Sequence, residues 1–335
     1  MSARNRLGTV AAMTLAATAG AMLLSACDPN ATTGANGPQS AAPSQSGAAP
    51  AQSDAAPSGG GQGKPAVNGT SAANRLTIST GTKNVLMNGT SVNFATDVRD
   101  LAWSPDGSKA AFVNSNGDLM VVGADGTKGM IVAKNPGGQT WSHPTWQVYG
   151  ADAQNSHSGK QNIVFAAKQD GVLKLESVPA TAANGTPQPL EIGNSEEGSV
   201  QPPKTSNQWP NSGGPHGTTA YANATDGQVY IRDDYLRLSG AAIAKGSEPA
   251  LAPDGQTVVF VRSVKGHDHL FEKAGYGTPE KDLTPNATTD FTEPAISHDG
   301  KTVAARTPDG VYTLPIDGSA APTKVSGYSG LPAYR

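Results

Sequence analysis

Between residues 75 and 335 one pattern of apolar and polar positions recurs along the chain. A short apolar run ends in a polar turn, and an alternating or continuous apolar run follows it. "DLAWSPDGSKAAFV" starts at Asp100, "EPALAPDGQTVVFV" at Glu248 and "EPAISHDGKTVAAR" at Glu293. In Ser104-Pro105-Asp106-Gly107 the proline presets φ at the first central position of a type I turn, and the glycine stands at the fourth. Asp106, Asp254 and Asp299 recur in these turns and read as structural, because an Asp side chain caps its own turn. The runs after each turn predict strands. A third strand follows in "GDLMVVGADG", "DHLFEKAG" and "DGVYTLPIDG", and a fourth short segment in "GMIVA", "KDLTP" and "TKVSG". Each unit is therefore predicted to hold four short strands.

Weaker copies fill the middle of this region. "HPTWQVYG" starts at His143 and leads through a longer loop to "QNIVFAAKQDGVLKLESVP". "VQPPKTSNQWP" starts at Val200 and leads to "GTTAYANATDGQVYIRDD". The alignment places Leu101, Pro144, Pro202, Pro249, Pro294 and Pro332 at one equivalent position, spaced by 43, 58, 47, 45 and 38 residues. That spacing is a propeller-blade period. The pattern resembles the propeller repeat of the TolB family and also that of prolyl-oligopeptidase-type enzymes. The resemblance covers most of residues 75–335 and implies an all-β, six-bladed β-propeller. TolB carries an extra N-terminal α/β domain, where this chain has other sequence, so no partner-binding residues carry over.

The chain's last residues, "SGLPAYR", match only the opening strand of a unit. The strands that would complete it are "RLTIST", "NVLMNG" and "SVNFAT", between Arg75 and Thr96. A ring of blades leaves two exposed sheet edges unless its ends are joined. The expectation is a sixth blade closed by the C-terminal strand pairing with the N-terminal three.

Composition agrees with a turn-rich β domain: 40 Gly and 25 Pro leave little room for long helices. It also sets the N-terminal part of the chain apart. Arg4 and Arg6 precede a stretch from Leu7 to Ala26 without charge. That is the layout of a secretory signal segment over residues 1–26. "LLSAC" closes it and resembles the lipobox of bacterial lipoproteins, which implies that Cys27, the only cysteine, is acylated and becomes the first residue of the mature protein. A single cysteine also excludes an internal disulfide. Residues 27–74 read as the lipidated cysteine and a disordered Ala/Gly/Ser/Pro tether, and residues 75–335 as the propeller. The 47 residues that follow Cys27 up to Asn74 give a flexible reach of about 35–40 Å. The expected location is the extracytoplasmic face of the cell membrane, held there by lipid.

The formal net charge is −3, and removal of Arg4 and Arg6 makes it −5. No block of Lys or Arg is present, so nucleic acid is excluded as a partner. No Gly-x-Ser-x-Gly elbow is present. About five full units and a partial one use the whole region, so no room remains for a fused α/β hydrolase domain. "SHDGKT" at Ser297 has Ala295 where a phosphate loop needs glycine, and it aligns with the repeat's turn. His267 and His269 lie on one side of an extended segment and could begin a zinc site, but two ligands do not make one; the alternative is a polar turn between two strands. No cofactor is expected.

Two insertions interrupt the repeat after its innermost strand: Val148–Gln161 and Lys204–Gly217. Neighbouring blades place equivalent loops side by side, so Tyr149, His157, Trp209 and His216 are expected near one edge of one face. Aromatic residues on loops are a common interface signal; the alternative is that Trp209 packs its loop down onto its blade. Trp103 and Trp146 fall on innermost strands and read as core. The function these features support is a monomeric, membrane-anchored scaffold that binds an envelope protein, a glycan or another ligand. An accessory subunit of an envelope complex or sensor system is the alternative, and a metal-dependent hydrolase comes third.

Overall fold

The computed structural model describes residues 68–154, 157–193, 201–233 and 239–335. The signal segment, Cys27 and most of the tether lie outside the described residues. Among the described residues there are 24 strands in six four-stranded sheets, each antiparallel between sequence neighbours. Blade 1 contains β1 (Leu76–Ser79), β2 (Asn84–Met87) and β3 (Thr90–Asn93). Blade 2 is β4 (Arg99–Trp103), β5 (Lys109–Val113), β6 (Leu119–Gly123) and β7 (Met130–Ala133). Blade 3 is β8 (Gln139–Tyr149), β9 (Lys160–Gln169), β10 (Val172–Pro179) and β11 (Gln188–Pro189). Blade 4 is β12 (Asn207–Gly213), β13 (Thr218–Asn223), β14 (Gln228–Asp233) and β15 (Ser239–Lys245). Blade 5 is β16 (Ser247–Leu251), β17 (Val258–Val264), β18 (His267–Lys273) and β19 (Glu280–Asp282). Blade 6 is β20 (Thr292–Ile296), β21 (Thr302–Thr307), β22 (Gly310–Pro315) and β23 (Thr323–Ser326), and β24 (Leu331–Tyr334) follows it.

Strand β24 does not join blade 6. It pairs antiparallel with β1, Leu76 opposite Tyr334 and Ser79 opposite Leu331, and so becomes the innermost strand of blade 1. The expected closure is present. Arg335 extends it, its N–H donating to Arg75 O at 2.9 Å and its Nε to Gly107 O at 3.2 Å.

The apolar runs of the repeat are buried on both faces, as a stack of sheets requires. In β5, Ala110 and Phe112 pack with Val85, Met87 and Phe94 of the blade 1 side. Ala111 and Val113 point the other way, to Trp141, Trp146 and Phe165 of blade 3. In β17, Val259 and Val261 face blade 6, while Val258 and Phe260 face blade 4. Two further clusters join blades 3 and 4 around Tyr221 and Tyr230, and blades 6 and 1 around Ile78 and Tyr334. The core is thus six inter-blade layers rather than one central mass, and the ring axis is left to the innermost strands.

The turns are built as expected. Ser104 Oγ donates to Asp106 at 2.5 Å, Ser297 Oγ to Asp299 at 2.6 Å and Thr257 Oγ1 to Asp254 at 2.6 Å. The Ser104 hydroxyl, followed by the Ser108 N–H and hydroxyl, pulls the Asp106 carboxyl down to about 2.

Three expectations need correction. The blade 4 register is set by Pro210, not Pro202: β12 carries Trp209-Pro210, and Pro202 packs near Gly240 of β15 on the outer part of that blade. The blade spacing on either side becomes 66 and 39 residues. Residues Lys204–Gly217 are therefore no insertion after an innermost strand; most of them are that strand and its tight turn. Finally, Asn68 and Thr70, read as the end of the tether, are buried against blade 1, where Thr70 Oγ1 accepts the Gly89 N–H at 3.0 Å.

Candidate functional site

Each of the innermost strands β4, β8, β12, β16 and β20 carries a register shift against its neighbour. The residue at each shift has a positive φ without being glycine: Asp100 at 56°, His143 at 52°, Trp209 at 50°, Glu248 at 49° and Glu293 at 51°. Bulges re-aim side chains, and strained φ values of this kind, ~1–3 kcal/mol each, gather where a site demands them. β24 pairs with β1 without a shift, so blade 1 contributes no such residue.

The re-aimed side chains meet at one end of the ring axis. The His143 N–H donates to Asp100 Oδ2 at 3.1 Å, and the Glu293 N–H to Glu248 Oε2 at 2.6 Å. Each acidic side chain thereby holds the bulge of the next blade. His143 Nε2 lies 3.4 Å from Glu293 Oε1. Those residues belong to blades 3 and 6, which stand opposite one another, so the contact crosses the axis. Trp209 sets its ring edge-on to the His143 ring, centroids 6.0 Å apart. Together they narrow the channel at this end.

The electrostatics follow from crowding. Burial first, then the Glu293 charge, pushes the Glu248 carboxyl up to about 7. Burial pulls His143 toward its neutral form, but the Glu293 hydrogen bond and the Asp100 and Glu248 charges outweigh this and raise it above its ordinary value.

Beyond this floor the innermost strands enclose a cavity of about 480 Å³ that runs to the hairpin turns at Pro105, Pro253 and His298. Trp103, Trp146, Leu251, Ile296 and Pro332 are among its walls. Trp103 and Trp146 are each 7% exposed, so they belong to the core as expected, and they also line the channel.

The four residues expected on one face divide into two places. Tyr149 and His157 pack edge to face, centroids 6.3 Å apart. The turn carrying His216 lies against them, because Gln147 Nε2 donates to Gly217 O at 3.0 Å and a Cβ on Gly217 would stand 2.6 Å from Tyr149 Cδ1. Trp209 is apart from this group. It lies four residues before the end of β12, and four residues of strand span about 13 Å. Tyr149 is also buried, at 8% exposure, so it anchors the Gly150–Gly159 loop rather than presenting a ring to solvent. His267 and His269 sit in strand β18, not in a turn. Each has its own carboxylate: Asp290 at 3.3 Å from His267 and Asp282 at 2.9 Å from His269. Among the described residues no three His, Cys, Asp or Glu side chains gather as metal ligands.

Apart from Trp209, which was expected on a loop, the floor residues were missed by sequence reasoning although their signal was there. Each floor residue directly precedes an aligned inner-strand position: Asp100-Leu101, His143-Pro144, Trp209-Pro210, Glu248-Pro249 and Glu293-Pro294.

Comparison with known proteins supports the architecture. The family described as Lipoprotein LpqB beta-propeller domain matches residues 74–206. A structure described as a TolB from Agrobacterium tumefaciens superposes with a TM-score of 0.53 at 19% identity, covering 76% of this chain and 90% of that one. TolB from Acinetobacter baumannii gives a TM-score of 0.53 at 16% identity, covering 77% of this chain and 65% of that one. No curated protein matches the chain. At these identities the structural likeness is one of fold.

Proposed function

We propose that this protein is an extracytoplasmic lipoprotein, anchored through acylated Cys27, whose propeller captures an envelope partner at the cavity on its ring axis. The cavity carries this reading: three of the five strained inner-strand residues, Asp100, His143 and Glu293, line one end of it, braced by Glu248 and Trp209, and the opposite end reaches the hairpin turns. A ring that served only as a spacer would not need side chains turned onto its axis at the expense of backbone strain. The signal segment 1–26, the lipobox and the tether supply delivery and reach. The word lipoprotein in the description of the family matching residues 74–206 supports that half of the reading.

Proximity labelling from the lipidated protein in its native envelope tests it. Wild type should enrich a defined protein set. Cys27→Ser should lose that set through release from the membrane, and Ala295→Phe should lose it by filling the cavity wall. A labelled set unchanged by both substitutions overturns the proposal. The accessory-subunit reading is a special case, in which the enriched set is one complex.

A further inference from the structure

The axial cavity has a one-sided chemistry. Its volume of about 480 Å³ lies inside the roughly 300–1,000 Å³ range of small-ligand sites. The Trp103 indole N–H is already donated to Thr77 Oγ1 at 2.9 Å, and that of Trp146 to Ala102 O at 3.1 Å. What these two side chains offer the cavity is therefore carbon surface and ring faces. At one end stand Asp100, Glu293 and His143, with Glu248 behind Glu293; His298 lies toward the turns. Among the described residues no Lys or Arg lines the cavity. Three cations stand nearby: Arg306 faces Glu248, which also feels Asp268, Arg75 acts on His298, and the Arg335 guanidinium lies over the Trp103 ring, 5.7 Å from its centroid.

We infer that the cavity takes a ligand with a primary ammonium on an apolar stem, the head against Asp100 and Glu293 and the stem along Trp103 and Trp146. This rests on the binding reading above and names its chemistry. An ammonium has three donors, and the floor supplies carboxylate acceptors at the end of a cavity whose walls join the Trp103, Trp146, Leu251 and Ile296 side chains with Thr145, Asn211 and Ser212. A divalent ion needs a shell of six or more oxygens, and no three candidate ligands gather among the described residues. An anion at the His143 end would meet the Asp100 and Glu293 carboxylates, with Glu248 behind them. The head also counts protons. Glu248 stands near 7 because of burial and Glu293, and His143 is raised by Glu293 and Asp100. An added positive charge favours the ionised carboxylates and the neutral imidazole, so binding tightens from pH 6 to pH 8.

The same ammonium could belong to a free amine or to a lysine of a protein partner. Titration of the full chain with hexylammonium, hexanol and hexanoate, followed by calorimetry and tryptophan fluorescence, tests the class. Hexylammonium should bind at least about tenfold tighter than either analogue. Asp100→Asn keeps an acceptor for the His143 N–H and tolerates the positive φ; it and Glu293→Gln should each weaken hexylammonium about tenfold with the melting temperature retained. A ten-residue peptide with one lysine, against the same peptide with norleucine there, separates the sources. Tighter binding by the lysine peptide than by hexylammonium points to a protein, and the reverse order to a small amine. Equal binding of hexanoate or hexanol, indifference to both substitutions, tighter binding at pH 6, or saturable calcium binding with none by hexylammonium overturns the inference. Partner capture is read by Ala295 and Cys27 variants without any amine, so either result can fail alone.

Discussion

The ring should come apart where β24 closes it. Tyr334 is 9% exposed and packs with Leu76, Ile78, Leu86, Ala304 and Val311, joining blade 1 to blade 6. Truncation of a buried ring of this kind costs about 3–5 kcal/mol, so Tyr334→Ala should lower stability by about 3–4 kcal/mol. Deleting Leu331–Arg335 removes more. Four register pairs with β1 are lost, as is the Arg335 N–H bond to Arg75 O. At roughly 1 kcal/mol net per hydrogen bond, this part is about 4 kcal/mol. Burial of Pro332 and Tyr334 adds about 3–5 kcal/mol. Thr77 Oγ1, which accepts from Trp103 Nε1 and donates to Ala333 O, loses its acceptor, and Leu76 and Ile78 lose their cover. The total, about 8 kcal/mol, rivals the whole stability of an ordinary domain. Thermal unfolding by circular dichroism is the assay. At ~2–4 °C per kcal/mol for a domain of this size, Tyr334→Ala should melt about 10 °C lower. The deletion should melt more than about 15 °C lower or lose its cooperative transition. Tyr328→Ala, at a residue 48% exposed, is the control and should shift the midpoint by about 2 °C at most. A deletion variant melting within about 4 °C of the full chain would refute closure at this strand.

Trp103→Phe removes the N–H to Thr77 and part of a buried ring; denaturant unfolding should show a loss of about 2–3 kcal/mol. Gly217 has φ 65° and faces Tyr149 at a distance no Cβ tolerates, so Gly217→Ala should lose about 2–4 kcal/mol in the same assay. Glu248 is raised from 4.5 to about 7 by burial and Glu293. Its contribution is fully present below pH 4.5 and is lost as pH rises through 7, on the order of 3 kcal/mol. Glu248→Gln should flatten that decline, and an unchanged pH–stability slope between pH 5 and 8 would count against the buried carboxyl. On the proposed anchoring, Cys27→Ser should move the protein from the membrane pellet to the soluble fraction, since the substitution would remove the acylation site; an unchanged pellet fraction would count against it.

Much of the propeller was legible because its signals are local. "SPDG", "APDG" and "SHDG" each carry the Asp and Gly that a tight turn needs, and the flanking runs are apolar because both faces of each blade are buried. Blade 4 was misread where those signals weaken. Its turn has four residues between the paired Gly213 and Thr218, against six between Leu251 and Val258 in blade 5, and it lacks the Asp-Gly step. With that marker gone, the aligned proline slid back to Pro202, and Trp209 moved with it from the channel floor to an imagined loop.

The residue order by itself determined that there are repeated four-stranded sheets, that they number six, and that the last strand belongs with the first three. Those properties follow from turn chemistry, from burial on two faces and from the need to leave no open edge. The site was a matter for the tertiary structure. Asp100, His143, Glu248 and Glu293 are up to 193 residues apart, and the sequence marks them only by their place before an aligned inner-strand position, which does not say where their side chains meet. Only ring closure brings blades 3 and 6 opposite one another, and only the bulge in each inner strand turns its side chain onto the axis. Polar groups that look like solvated strand ends in the sequence become one crowded, partly buried floor.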